Sequence, residues 1–498
     1  MSPPKSKIQN PKFPPLLERL RPMLVSQKTP VYLVGGAVRD ALLGRESHDL
    51  DFVVAERAIA LAYKVADGLG AAAYALDKER DTGRVVLPDG TVLDFARYRG
   101  VDLAADLRER DFTINAMALP VTATALDDLV DPCGGLADLQ AGLVHPTHPQ
   151  AITDDPVRAL RAIRLALNLG FQMTVETMAA LPAAAPLLNQ LSPERVRDEW
   201  LKLLQTAAPH RAVRLMAEGG LVAAVWPEVV ALVGVAQSPP HHEPVFDHTV
   251  SVLRWLVELE ATVEQSGGLS QSGRLSQSGG LRYSELAAYW ARPVTGGLDG
   301  RTLLRLAALF HDVGKARTQS IGPDGRIRFL EHDQVGAGLV GERLRFYRFS
   351  TEAISHVKQI VAGHMRPLFL TAQESVSRRA IYRFFRDFGP AGLDISFLAL
   401  ADHLATYQTA EAAGDAQWAR LLALVAQLYD QYFQQYEQTI RPRPLVNGDE
   451  LMTALQLRPG PEVGRLLRLI EEAQAAGEIT TWKEAIQLAR GQRDKREA

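Results

Sequence analysis

Residues 31–54 read VYLVGGAVRDALLGRESHDLDFVV, an order that spells a strand, a tight turn, a helix and a second strand. The apolar run Val31 to Val34 leads into Gly35, Gly36 and Arg39, and the second strand alternates Asp49, Leu50 and Asp51. Side chains two apart on a strand share a face, so Asp49 and Asp51 point the same way. Two hard oxygen donors on a rigid element suit Mg²⁺, which completes its shell with water and phosphate oxygens. Glycines just before a helix let backbone N–H groups approach that phosphate. A lone GG is an ordinary turn and a lone DxD a solvated pair, but their conjunction in one strand–helix–strand unit points to nucleoside triphosphate chemistry.

Around this stretch, 498 residues imply several domains, because single cores stop growing well below that length. A net charge of −3 excludes a globally basic nucleic-acid binder, so local basic faces must carry any RNA contact. The single cysteine, Cys133, cannot form an internal disulfide, which fits a reducing cytoplasm. The N-terminal MSPPKSKIQNPKFPP has no apolar core of a signal peptide, and residues 1–30 are expected to be a disordered leader. The apolar segment Leu221 to Ala236 is interrupted by Pro227 and Glu228 and is too short to span a bilayer, so no membrane segment is expected. Strands are further expected at Val85 to Leu87, Val92 to Phe95 and Ala116 to Pro120, and helices dominate from Pro156 onward. The Ser/Gly-rich repeat at 265–281 reads as a flexible surface insertion.

GGAVRD followed by DLD resembles the signature of the class II tRNA nucleotidyltransferases and bacterial poly(A) polymerases, a polymerase-beta-like branch whose pattern is GGxVRD and then DxD. The resemblance implies an α/β nucleotidyltransferase head at 31–150, followed by an all-α neck at 151–240, an HD domain at 241–427 and a helical tail at 428–498. Asp94, in the strand-like TVLDFA, is the candidate third carboxylate, since two-metal phosphoryl transfer needs ligands for both ions.

Arg110, Asp111 and Asn115 lie in a segment that resembles the family's RRDFTINA motif, associated with the ribose and phosphates of the nucleotide; Glu109 departs from its first arginine. Asp154-Asp155-Pro156-Val157-Arg158 resembles the base-selecting (E/D)DxxR motif. Proline favours the first helical turn, which makes Asp155 the expected N-cap. At about 100° per residue, Arg158, Arg161 and Arg164 share a face opposite Leu160, Ile163 and Leu167, a rail suited to a triphosphate or RNA. Cytosine and adenine each set an exocyclic amine beside a ring-nitrogen acceptor, so Asp155 can accept from one and Arg158 donate to the other. Guanine and uracil reverse that order and would leave buried charges unpaired. The segment from Ser192 to Glu199, with Lys202, resembles the family's last head-and-neck motif, which implies a part in steadying the base-reading helix, and is given no catalytic role. Only Phe95 to Glu109 separates Asp94 from Arg110, a short loop that resembles the CC-adding subgroup.

Farther along, His248, His311-Asp312 in LFHDVGK, His332, His364 and Asp402 resemble the H…HD…D ligands of HD phosphohydrolases, with His332 and His364 matching the extra histidines of two-metal members. A mixed imidazole and carboxylate set leaves the identity of this divalent metal open. Lys315, after the HD pair, is placed to orient a phosphate. The expected activity is template-independent addition of C and/or A to a tRNA 3′ end from CTP and/or ATP, with Mg²⁺ in the head and no obligatory protein partner. The competing readings are a poly(A) polymerase, or an HD phosphohydrolase with an RNA-binding head.

Overall fold

A computed structural model describes residues 13, 15–47, 49–123, 126–264, 283–294, 298–373, 375–407 and 415–497. The chain divides into two compact units: residues 1–207 with 211–225, and residues 208–210 with 226–498. Residues 226–240, expected in the neck, therefore pack with the second unit. The Ser/Gly-rich repeat lies outside the described residues.

The first unit is built on a six-stranded mixed sheet: β1 (Tyr32–Val34), β2 (Asp49–Val54), β3 (Ala72–Asp77), β4 (Thr82–Val86), β5 (Val92–Arg97) and β6 (Ala118–Pro120), in the order β3-β4-β5-β2-β1-β6. Only β2 and β5 are parallel, and their register sets Asp51 beside Asp94 and Phe52 beside Phe95. Alternation then sorts the faces. Leu50, Phe52, Leu93 and Phe95 are fully buried on one side, where the helix Ala58–Leu69 covers β3, β4 and β5. The Phe52 and Phe95 rings stack with centroids 4.9 Å apart. On the other face Asp51 and Asp94 rise above a floor in which Val53 and Ala96 pack with Leu107 and Ala116.

Several expectations need correction. β3 was not foreseen, and the strand expected at Val85 to Leu87 begins three residues earlier and ends at Val86. Thr113–Asn115 is a 3₁₀ turn, so the strand expected from Ala116 starts at Ala118. Part of the expected leader is ordered: Pro15–Val25 is a helix that buries Leu17, Leu20 and Leu24. No helix among the described residues is long and apolar enough to cross a membrane.

The second unit is mostly helical. Its helices Val245–Glu264, Gly300–Phe310, His332–Phe346, Thr351–Gly363 and Ala391–Tyr407 pack on one another and carry the predicted histidines at or near their ends. A short hairpin, Gln319–Ile321 with Ile327–Phe329, interrupts this pattern. The helix Asp415–Gln434 runs through position 427, and the C-terminal helices Gly448–Leu455, Pro461–Ala475 and Trp482–Glu497 close a core around Leu451, Leu466, Ile470 and Ala485.

Because Phe95 fills the face opposite the carboxylates, Phe95→Ala should cost about 3–5 kcal/mol. Hydrogen exchange should report it as lost protection in β2 and β5, with the second unit unaffected.

Candidate active site

β1 ends at Val34, and Gly35 turns the chain into the helix Gly36–Leu42 with φ +70°, a conformation that side chains rarely adopt. Space is also short there. A Cβ on Gly35 would meet Arg110 Nη1 at 3.2 Å and Asp51 Oδ2 at 3.6 Å. The glycine therefore lets a backbone amide sit between the acidic strand and the first basic residue.

Asp51 is the pivot. Burial, together with the neighbouring charges of Asp94 and Asp49, pushes its carboxyl up from 3.8 to about 6, against the pull of Arg110. Arg84, opposite Asp94 on β4, grips that carboxylate with both ends, Nε to Oδ1 at 2.8 Å and Nη2 to Oδ2 at 2.7 Å. Asp49 is exposed at the start of β2. The three predicted carboxylates thus share one sheet face. Their donor atoms do not, however, form one of the tight groups that lie within 4.8 Å of one another among the described residues, and Asp94 is committed to Arg84.

A cleft of about 390 Å³ opens beside Asp51 and is lined by Gly35, Arg39, Arg110, Asp111, Asn115, Arg158, Arg161 and Arg164. Four of these side chains form one bonded chain. Arg39 Nη1 donates to Asn115 Oδ1 at 2.6 Å, Asn115 Nδ2 donates to Asp111 Oδ1 at 3.1 Å, and Arg161 Nη1 donates to Asp111 Oδ2 at 2.9 Å. Burial disfavours the charge on Asp111, yet Arg161 and the Asn115 and Phe112 donors outweigh it and hold the carboxyl below its usual value. Arg110 is braced by buried Asp106 at 3.1 Å, and Arg164 by Glu199 at 2.5 Å.

Asp155 is not the N-cap that its position before proline suggests. The helix starts at Val157, Pro156 occupies the cap, and the Asp155 carboxylate instead accepts from Arg195 Nη2 at 3.0 Å on each oxygen. Asp155 does not line the cleft, whereas Arg158 does, donating to the carbonyl oxygens of Glu109 and Ala151 at 3.0 Å. Leu160 and Ile163 are buried on the opposite side of that helix, as its periodicity requires; Leu167 is only half-buried. Sequence reasoning assigned no role to Arg84 or Asp106, and to the segment holding Arg195 and Glu199 only the steadying of the base-reading helix; each supports one charged residue of this face. Only the register and the tertiary pairing reveal them.

The second unit gathers the other predicted set around Asp312. Its Oδ2 lies 3.2 Å from His311 Nε2 and 3.9 Å from His248 Nε2, and its Oδ1 lies 3.4 Å from His332 Nε2 and 3.8 Å from His364 Nε2. Asp402 Oδ1 is 2.9 Å from His248 Nε2. His248, His311 and Asp312 form one compact group of donors, and Asp312, His332 and His364 a second.

The backbone fixes the tautomers. Nδ1 of His311, His332 and His364 lies 2.8, 2.8 and 2.7 Å from the carbonyl oxygens of Ala308, Phe329 and Val361. A carbonyl can only accept, so each Nδ1 carries a proton and each ring, in its neutral form, turns an Nε2 lone pair inward. His332 and His364 Nε2 are 3.2 Å apart, a repulsive approach for two lone pairs unless a proton or cation lies between them. His311 Nε2 is buried without a hydrogen-bond partner, and the buried Asp312 Oδ2 meets the Lys315 ammonium at 2.7 Å. Although burial disfavours the charge on Asp312, His311 and Lys315 hold its carboxyl well below the usual range. A buried, persistently anionic carboxylate amid inward-turned imidazoles fits a divalent metal. Gly314 makes the approach possible, because a Cβ there would collide with the His332 carbonyl oxygen.

Lys315 Nζ sits 2.7 Å from Asp312 Oδ2 and donates to Gln237 Oε1 at 2.7 Å. His241, which the sequence reading passed over, stands edge-on to His248 at 5.1 Å and, with Asp312, Lys315, His332, His364 and Asp402, lines a cavity of about 670 Å³.

Comparison with known proteins agrees with this anatomy. Family models match in chain order: Poly A polymerase head domain at residues 31–102 and 93–145, probable RNA and SrmB-binding site of polymerase A at 170–232, HD domain at 245–407, and putative tRNA nucleotidyltransferase domain 2 at 337–489. The CC-adding tRNA nucleotidyltransferase of Thermus thermophilus is 34% identical over 91% of both chains. The chain belongs to the tRNA nucleotidyltransferase family. The A-adding tRNA nucleotidyltransferase of Deinococcus radiodurans is also 34% identical, over 94% of this chain and 96% of its own. The fold matches the Thermotoga maritima CCA-adding enzyme complexed with tRNA, with a TM-score of 0.58, 21% identity and 97% and 96% coverage. In this tRNA nucleotidyltransferase the first unit therefore holds the polymerase-type head, and the second unit holds the HD match and the two residue groups that could hold a metal ion.

The raised Asp51 carboxyl fixes the sign of a pH effect. Between 3.8 and about 6 the folded state binds more protons at Asp51 than the unfolded state, so stability falls as pH rises through that window. Asp51→Asn removes this cost. In chelator-containing buffer it should raise the urea midpoint at neutral pH, with the gain vanishing as pH falls to 3.8.

Proposed function

We propose that this chain extends the 3′ end of tRNA with C and/or A, taking cytidylate or adenylate from CTP or ATP and releasing pyrophosphate. The observation that carries the reading is the Asp51 cleft, with a glycine turn on one wall and the Arg158, Arg161 and Arg164 face on the other. Asp49 and Asp51, with Asp94 beside them, would hold Mg²⁺, which when bound favours ionisation of the attacking hydroxyl and stabilises charge on the leaving pyrophosphate. Arg39 and Arg110 are placed to bind phosphate oxygens, and the amides after Gly35 to approach them closely.

Base choice falls to Arg158 within the cleft, joined by Asp155 from just outside its lining. A carboxylate has about four acceptor positions, so Asp155 retains capacity while bonded to Arg195, and Arg158 has five donors. Reading by side chains requires no nucleic-acid template. The short connection between β5 and Arg110 and the several CC-adding relatives support addition of C, and the Deinococcus relative supports A.

A second reading concerns the HD site. The ligand set about Asp312 supports metal-dependent phosphoester hydrolysis, with Lys315 placed to orient a phosphate. A reducing cytoplasm suits the single cysteine of both activities.

The deciding measurement offers labelled CTP and ATP to the purified protein with tRNA lacking CCA and with tRNA ending in CC. Incorporation of short C, C then A, or single A supports the proposal and names its subtype; long A tracts or hydrolysis alone would overturn it. Asp51→Ala should lower incorporation roughly 100-fold or more while sparing HD hydrolysis, and His311→Ala should do the reverse.

A further inference from the structure

Asp394 is a fully buried carboxylate that none of the chemistry above uses. Three donors from two other elements converge on it: Tyr289 Oη at 2.7 Å, Trp290 Nε1 at 2.9 Å and His356 Nε2 at 2.8 Å. Their placement is informative. Asp394 lies on Ala391–Tyr407, the helix that carries Asp402, and His356 lies on Thr351–Gly363, the helix that His364 caps. Each member of the pair stands eight residues before a predicted metal ligand on its own helix, about 12 Å of helical rise.

The same two helices are pressed together a second time where Gly363 meets Ile395, since a Cβ on Gly363 would lie 2.5 Å from Ile395 Cδ1. On Thr351–Gly363 the two contacts are seven residues apart, whereas on Ala391–Tyr407 they fall at neighbouring residues, so both hold the His364 helix against one place on the Asp402 helix. We propose that the His356–Asp394 pair is a positioning clamp that fixes the spacing and register of the His364 helix against the Asp402 helix, and so holds the HD ligand set at metal-binding separation.

The charges agree with a persistent pair. Burial opposes a charge on His356, but the hydrogen bond and charge of Asp394, and then Glu352, raise its pKa. Tyr289 and Trp290, by contrast, donate from Tyr283–Trp290, a helix that bears no predicted ligand. They separate positioning from simple stabilisation. This inference rests on the metal-binding reading of the HD site, and the test keeps the two apart.

Mn²⁺ binding is measured by electron paramagnetic resonance on the full chain in an Asp51→Ala background, which removes the head's contribution. A site lost on His311→Ala establishes HD metal binding; without such a site that reading fails, and the clamp with it. Given the site, His356→Ala should weaken Mn²⁺ about tenfold. His356→Gln, which retains a donor, should recover most of that loss. Tyr289→Phe should lower the melting temperature while leaving Mn²⁺ affinity unchanged. An unaltered affinity in His356→Ala, an equal loss in Tyr289→Phe, or no recovery in His356→Gln would each overturn the clamp.

Discussion

Two like charges held side by side on adjacent strands are the constraint on which the first unit depends. The parallel pairing of β2 with β5 sets Asp51 level with Asp94, and at a strand spacing of about 4.8 Å their carboxylates repel. The surrounding structure offsets that repulsion. Arg84 neutralises Asp94 from β4, and Arg110, braced by Asp106, faces Asp51 across Gly35. What remains is the raised Asp51 carboxyl, the expected state of a site that gains stability when it takes a cation.

The second unit answers the same electrostatic problem with different means. Asp312 is buried among four imidazoles, and backbone carbonyls set the tautomers of three of them, His311, His332 and His364, so their inward lone pairs are a property of helix ends rather than of the histidines alone. An isolated buried carboxylate would shed its charge by taking a proton. Here Lys315 and His311 keep it anionic. The two sites share a logic in which negative charge is gathered at a cost and then partly compensated.

Much of this was legible along the chain because it is periodic or local. Alternation placed Asp49 and Asp51 on one face, and helical periodicity placed Arg158, Arg161 and Arg164 opposite Leu160 and Ile163. β3 escaped notice because it is an edge strand rich in alanine, with no buried apolar side chain to mark a face. The capping role expected for Asp155 failed for a different reason. Local rules favour a carboxylate before proline, but Arg195, forty residues away, offers a charged partner that a backbone amide cannot match.

Residue order alone determined the strand–turn–helix–strand unit, the acidic and basic faces of its elements and the histidines able to ligate metal, since each follows from short-range geometry. Tertiary structure alone decided which carboxylate faces which, that Arg84 holds Asp94, that Arg195 holds Asp155 and that Asp312 stands between two groups of imidazoles. Those outcomes depend on strand register and helix crossing. Both are fixed by packing among residues far apart in the chain, and side-chain charge follows wherever the backbone is carried.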